Sequence, residues 1–261
     1  MSFSLILGHG VSVDVVLAAA LSAQPTGADI VEVEFDTHEG RLRLPLSRCA
    51  TFSFELQCSP VRVFPSYRGQ RSFPGLRWFA TTQAHVGHES WLERDQLMAL
   101  DADPDVVGVV SQPFWLHWSV GIRHAPDYFA RRRDGSALVI DVRDDDRIST
   151  DDQQKFDRSA MVCESIGWSY RRVGVLDSVL RANLRWLSGI DTPRVLRPAL
   201  AGNLVEVFAR TRPLMSGVLA VGTPLVVLPV LFHLLWHRQL EVDLVSATLT
   251  SDTIVGPGSG R

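Results

Sequence analysis

The stretch APDYFARRRDGSALVIDVRDDD, residues 125–146, decides how this chain is read. Two short apolar runs flank Asp134 and Gly135, a turn signal, so the segment is expected to form a β-hairpin. Each run carries an aspartate: Asp127 follows a proline, and Asp141 lies in the second run, two residues before Arg143. Because side chains alternate along a strand, Asp141 and Arg143 share a face. Whether Asp127 joins them depends on the turn. A two-residue loop of Asp134 and Gly135 pairs position 127 with 142 and sends the two aspartates to opposite faces. A three-residue loop, with Gly135 or its neighbour in a left-handed bulge, moves the register by one and brings both carboxylates to one face. Two such carboxylates suit a hard divalent cation, which takes oxygen ligands and leaves its other positions to water and phosphate. Such ions neutralise charge and activate water in phosphodiester hydrolysis. The plain structural alternative makes Asp127 a strand-entry residue, and Asp144, Asp145 and Asp146 read as a solvated loop.

Working outward, residues 30–46 alternate around His-Glu-Gly and predict a hairpin, followed by β-rich FSFELQ and VRVFPSY. SFPGLRWFATT reads as a loop or edge strand. ESWLERDQLMALDAD has helical spacing with Ser90 as its cap, giving a helix of about 10 to 12 residues. Glu89 and Glu93 lie one turn apart on that helix; surface charge is their ordinary role. His85 and His88 precede it without completing a zinc pattern. VVGVVSQPFWLHWSV predicts a strand with Pro113 at an edge or bulge. After the opening hairpin, DDQQKFDRSAMVCESIGW places Phe156, Ala160, Met161 and Cys163 at helical spacing; YRRVGVL is a strand, and a helix begins at Asn183–Leu187. Helix, three strands, helix, strand is the order of an α/β core with a mixed sheet.

Beyond the TPRVLRPAL linker the character changes. Residues 214–236 are almost continuously apolar, long enough to raise the question of a membrane span. Pro224, Pro229, Gly217, Gly222, His233 and His237 interrupt them, so a buried helical pair followed by the strand-turn-strand LEVDLVSATLTSDTIV is the expectation. That order is winged-helix-like. The division expected is an N-terminal extension (1–29), a core with an N-terminal β-rich part (30–190), a separable winged-helix-like unit (191–255) and a disordered tail (256–261).

Composition constrains the rest. At 46% apolar residues, a chain of 261 residues buries a substantial core. A net charge of −3 supplies no global attraction to nucleic acid, so DNA contact must rest on local groups such as Arg131, Arg132 and Arg133. Cys49, Cys58 and Cys163 are odd in number and scattered, which fits a reducing cytoplasm better than a disulfide framework. The apolar start lacks the basic segment of a signal peptide. Lys155 is the only lysine, so the chain is biased toward arginine.

The order SWLERDQLMALDADPDVVGVVSQPFWL, HAPDYFARRRDGSALVIDVRDD, helix, GWSYRRVGV resembles the catalytic domain of TnsA-like transposase endonucleases. These belong to the restriction-endonuclease-like PD-(D/E)xK nucleases. The resemblance spans about Glu89 to Leu187, with a winged-helix extension as in that family. It implies a restriction-endonuclease-like α/β fold and a site of Glu93, Asp127, Asp141 and Arg143. Asp127, Asp141 and Glu93 would hold Mg²⁺ or Mn²⁺, with Glu89 an alternate to Glu93 and Lys155 an alternate to Arg143. It further implies cleavage at the 5′ ends of a mobile element, with DNA, a DDE-type transposase and a regulatory ATPase as partners and no membrane. Arg143 departs from the family's lysine: a guanidinium stays protonated and acts by charge alone. A catalytically silent assembly subunit, or a stand-alone restriction-type nuclease, are the competing readings.

Overall fold

A computed structural model of the chain describes residues 31–62, 73–190 and 195–258. The expected N-terminal extension and most of the VRVFPSY segment lie outside these. The first hairpin is as expected: β1 (Val31–Thr37) and β2 (Gly40–Pro45) pair antiparallel around His38 and Glu39. FSFELQ, however, is not a strand. Phe54–Gln57 form the short helix α1, followed by the two-residue β3 (Cys58–Ser59). The turn buries Phe54 among Phe35, Phe52, Phe114, Phe129 and Trp168, and this aromatic packing outweighs the strand preference of the local sequence. SFPGLRWFATT contains β4 (Gly75–Phe79), which among the described residues forms a two-stranded sheet with β5 (Ala84–His88).

Helix α2 (Trp91–Ala102) is capped by Ser90, whose hydroxyl accepts from the Glu93 N–H. VVGVVSQPFWLHWSV is two strands in two sheets. β6 (Val106–Ser111) ends where Gln112 turns into the left-handed region at φ +44°, and β7 (Trp115–Trp118) joins β1 instead. After β8 (Arg123–His124) come β9 (Tyr128–Arg132), β10 (Ala137–Val142), α3 (Thr150–Ser165) and β11 (Ser169–Val173). The sheet order is β11-β10-β9-β6, with β10 and β11 parallel and the other pairs antiparallel, so the sheet is mixed and the fold is α/β.

The two sheet faces are covered differently. Ala137 and Val139 pack with Phe129, Cys163 of α3 and Trp168, while Leu138 and Ile140 pack with Tyr128 and Leu97 of α2. On α3 the buried positions are Phe156, Ser159 and Cys163; Met161, expected on the apolar face, is 62% exposed, because it lies off the stripe those three define. The next helix, α4 (Ser178–Leu187), begins five residues before the expected start, capped by Asp177, which accepts from the Val179 and Leu180 N–H groups.

The C-terminal part runs α5 (Pro198–Val207), β12 (Arg212–Pro213), α6 (Leu214–Val221), α7 (Pro224–Trp236), β13 (Leu240–Val242) and β14 (Ile254–Pro257), with β14 central in a three-stranded sheet. The long apolar run is therefore two helices broken at Gly222 and Thr223, and no helix among the described residues is long and apolar enough to cross a membrane. The tail was expected to be disordered from 256, yet Gly256 and Pro257 belong to β14, paired with Glu241 and Leu240. Nor is this part walled off from the rest. One apolar cluster joins Met98, Leu184 and Leu187 to Leu204, Val218, Leu231 and Trp236. Asp101 of α2, fully buried, accepts from the Ala80 and Thr81 N–H groups and from Trp236 Nε1 at 3.1 Å.

Candidate functional site

The hairpin turn has the longer of the two possible loops. The Arg132 N–H donates to Ser136 O at 2.9 Å, and the Gly135 N–H donates back to Arg132 O at 2.9 Å. Arg133, Asp134 and Gly135 thus form the loop, with Gly135 left-handed at φ +85°. Asp134 fastens it by accepting from the Ser136 N–H at 2.8 Å. The register pairs Ile140 with Tyr128 and Val139 with Phe129. One step further sets Asp141 opposite Asp127, on the face of Val139 and Phe129.

The environment of the two carboxylates explains their electrostatics. Past the end of β9, the Val142 N–H points to where that strand would continue, and Asp127 Oδ2 accepts it at 2.7 Å. Burial first, then the charge of Asp141, then that of Glu93, push the Asp127 carboxyl well above the usual carboxylate range; the Val142 bond and Arg62 oppose them. Asp141, 2% exposed, is held by two groups that no local motif announces. His124 Nε2 lies 2.8 and 2.9 Å from its two oxygens, and the Tyr170 hydroxyl donates to Oδ2 at 2.7 Å. Burial, then Asp141, push the neighbouring Cys163 thiol up to about 12, which makes it an inert packing group.

Glu93 is the helix carboxylate that faces this pair. It accepts from the Glu89 N–H, one residue ahead of the cap, at 2.7 Å and from the Ser90 hydroxyl at 2.8 Å, so its carboxylate folds back over the start of the helix. Burial, then the charge of Glu89, raise it above its ordinary value, and the two hydrogen bonds and Arg62 pull it down. Glu89 turns instead to Arg62, 2.9 Å away. Arg62 escapes sequence reading because nothing local marks it; it comes from the segment before β4 and meets the helix only through the tertiary fold.

Arg143 comes just after the end of β10, and its guanidinium reaches Asp152 at 3.1 Å and the Arg147 carbonyl at 3.3 Å. Asp152 is the third residue of α3 and closes the capping box with Ser149. Lys155, half-buried, sits on the next turn of that helix. Asp144 and Asp145 do not join the carboxylates: Asp144 accepts from the Asp146 N–H, and Asp145 pairs with Arg172.

Among the described residues, no group of three or more His, Cys, Asp and Glu side chains converges tightly enough to hold a metal as arranged. The physical reason is visible in the bonds above, since each of the three carboxylates is drawn toward a separate protein donor. Their chemistry nonetheless suits a hard cation. They are oxygen ligands, and a divalent ion would relieve what raises Asp127, the burial of its charge first and then the repulsion from Asp141 and Glu93. Neither protein-family models nor curated proteins match this chain, so the site must be read from its own chemistry.

Proposed function

We propose that this chain is the DNA endonuclease subunit of a TnsA-like heteromeric transposase, hydrolysing phosphodiester bonds at the 5′ ends of a mobile element. The observation that carries the reading is the hairpin register, in which a three-residue turn sets Asp127 opposite Asp141. The helix-borne Glu93, the mixed sheet and the succession α2, β6, β9, β10, α3, β11 support a restriction-endonuclease-like core. The C-terminal order of helix, strand, two helices and a two-stranded wing supports a winged helix, suited to contacts with DNA, with the DDE-type transposase or with a regulatory ATPase.

In this reading Asp127, Asp141 and Glu93 hold Mg²⁺ or Mn²⁺, which when bound supplies charge neutralisation and an activated water. The chain's own groups set the geometry. The Val142 N–H orients Asp127, while His124 and Tyr170 orient Asp141. Arg143, where the family carries a lysine, would contribute positive charge and donors and could not remove a proton.

A second reading, a silent DNA-binding subunit, is favoured by the engagement of Arg143 with Asp152. One assay separates them. With transposase partners and end-containing DNA, the assembled complex is expected to cut in Mg²⁺ or Mn²⁺, and Asp141→Ala is expected to lower the rate by about 100-fold or more. Equal cutting by the variant complex transfers the assignment to the silent reading.

A further inference from the structure

We propose that the guanidinium meeting the scissile phosphate at this site is Arg62 and that Arg143 instead holds the start of α3. The proposal rests on the endonuclease reading. Two successive backbone hydrogen bonds tie the Arg62 segment to Asp127. The Val61 N–H donates to Gln112 O at 3.0 Å, and the Gln112 N–H donates to Asp127 O at 2.8 Å. Gln112 can serve both neighbours because its backbone is turned to φ +44°, a conformation that costs a non-glycine residue free energy and recurs where geometry matters to function.

The side chain completes the placement. Arg62 Nη2 donates to Glu89 Oε2 at 2.9 Å, and the backbone N–H of the same Glu89 donates to Glu93 Oε2 at 2.7 Å. Glu89 thereby holds a positive charge beside the carboxylates, and that charge acts on both Glu93 and Asp127. Arg62 Nε is buried with no acceptor among the described residues, while 39% of the side chain remains exposed. A fork of N–H donors fits two phosphate oxygens, and a phosphodiester approaching three carboxylates needs such a counter-charge. Arg143 is differently committed. Its two hydrogen bonds go to Asp152 and the Arg147 carbonyl, which fasten the loop after β10 to the first turn of α3.

The test uses the full chain and short duplex DNA, with binding measured by fluorescence anisotropy between 50 and 200 mM salt, about the range over which phosphate contacts dominate affinity. Arg62→Ala is expected to reduce the slope of log affinity against log salt by about 1, the signature of one lost phosphate contact. Arg62→Gln, which keeps a donor for Glu89 and guards against misfolding, is expected to do the same. Arg62→Lys should keep the slope yet cut about 10- to 100-fold more slowly in the assembled complex, because the fork is gone. Arg41→Ala, on the exposed face of the first hairpin, serves as the control. If Arg62→Ala and Arg62→Gln lower the melting temperature but leave the slope intact, Arg62 is structural and the proposal falls. It falls equally if Arg143→Ala reduces the slope and the Arg62 variants do not. Absence of salt-dependent binding overturns it together with the endonuclease reading. Full cleavage by Asp141→Ala overturns the endonuclease reading and the scissile-phosphate role that rests on it, while the slope separately reports whether Arg62 touches phosphate.

Discussion

Asp127→Asn is expected to lower metal-dependent cleavage by about 100-fold or more and, at the same time, to make the chain more stable at pH 8. The two effects have one cause. In the folded chain burial, Asp141 and Glu93 raise the Asp127 carboxyl above its unfolded value. A carboxyl raised in this way favours the folded state at low pH, and that contribution is lost as pH rises through the folded value. The wild-type chain should therefore lose stability from about pH 4, near the unfolded value, up through the raised one. The amide carries no charge and can still accept from Val142, so its melting temperature should exceed the wild type's by about 2–5 °C at pH 8, on the usual scaling for a chain of this size. The difference should vanish only below about pH 3, where the aspartate is protonated in both states. Millimolar Mg²⁺ should then raise the melting temperature of the wild type and leave Asp127→Asn nearly unmoved, since binding to the folded state alone stabilises it. A variant less stable than wild type at pH 8 would mean that ionised Asp127 is structurally favoured, and the case for a repulsive, cation-seeking cluster would go with it.

That cluster was legible in unequal parts. Asp127 and Asp141 can be found because strand alternation and loop length are local rules, and the Asp-Gly turn narrows the register to two options. Glu93 carries a further local signal, its Ser-x-x-Glu spacing from Ser90, whose hydroxyl both accepts from the Glu93 N–H and donates to its carboxylate. Likewise Asp177, just ahead of an apolar run, marks the true start of α4. The other contributors answer to no local rule. Tyr170 reaches Asp141 only because β11 returns parallel to β10 after α3, and Arg62 is placed through the bond of its neighbour Val61 to Gln112, far away in sequence. Pro113 marks an irregularity in VVGVVSQPFWLHW, but no local rule says that the two halves join different sheets; tertiary packing divides them.

Sequence reasoning also expects that deleting residues 200–255 spares the fold of residues 30–190 and weakens only partner binding, and the packing predicts the reverse for the fold. Deleting them strips the cover from Met98, Leu184 and Leu187, which are now at most 1% exposed. At about 1.5–3 kcal/mol for each large apolar side chain returned to water, three such exposures approach the whole stability of an ordinary domain. Polar losses add to this. Asp101 loses its Trp236 donor, the Ala102 carbonyl loses Arg238, and Asn183 loses its bonds to the Leu244 and Ala247 carbonyls and the Leu249 N–H. The truncated chain is expected to aggregate or to lack a cooperative melt at temperatures where the full chain is folded. Trp236→Ala offers a graded version in the intact chain, with an expected loss of about 3–5 kcal/mol by denaturant titration. Both measurements bear on function, because α2 carries Glu93 at its first turn and Asp101 at its last, where the C-terminal part grips it. A partner docking on the C-terminal helices would therefore act on the same rigid rod that presents a site carboxylate. If the truncated chain melts cooperatively within a few degrees of the full one, the shared cluster contributes little, and the boundary near 191–197 separates independent domains after all.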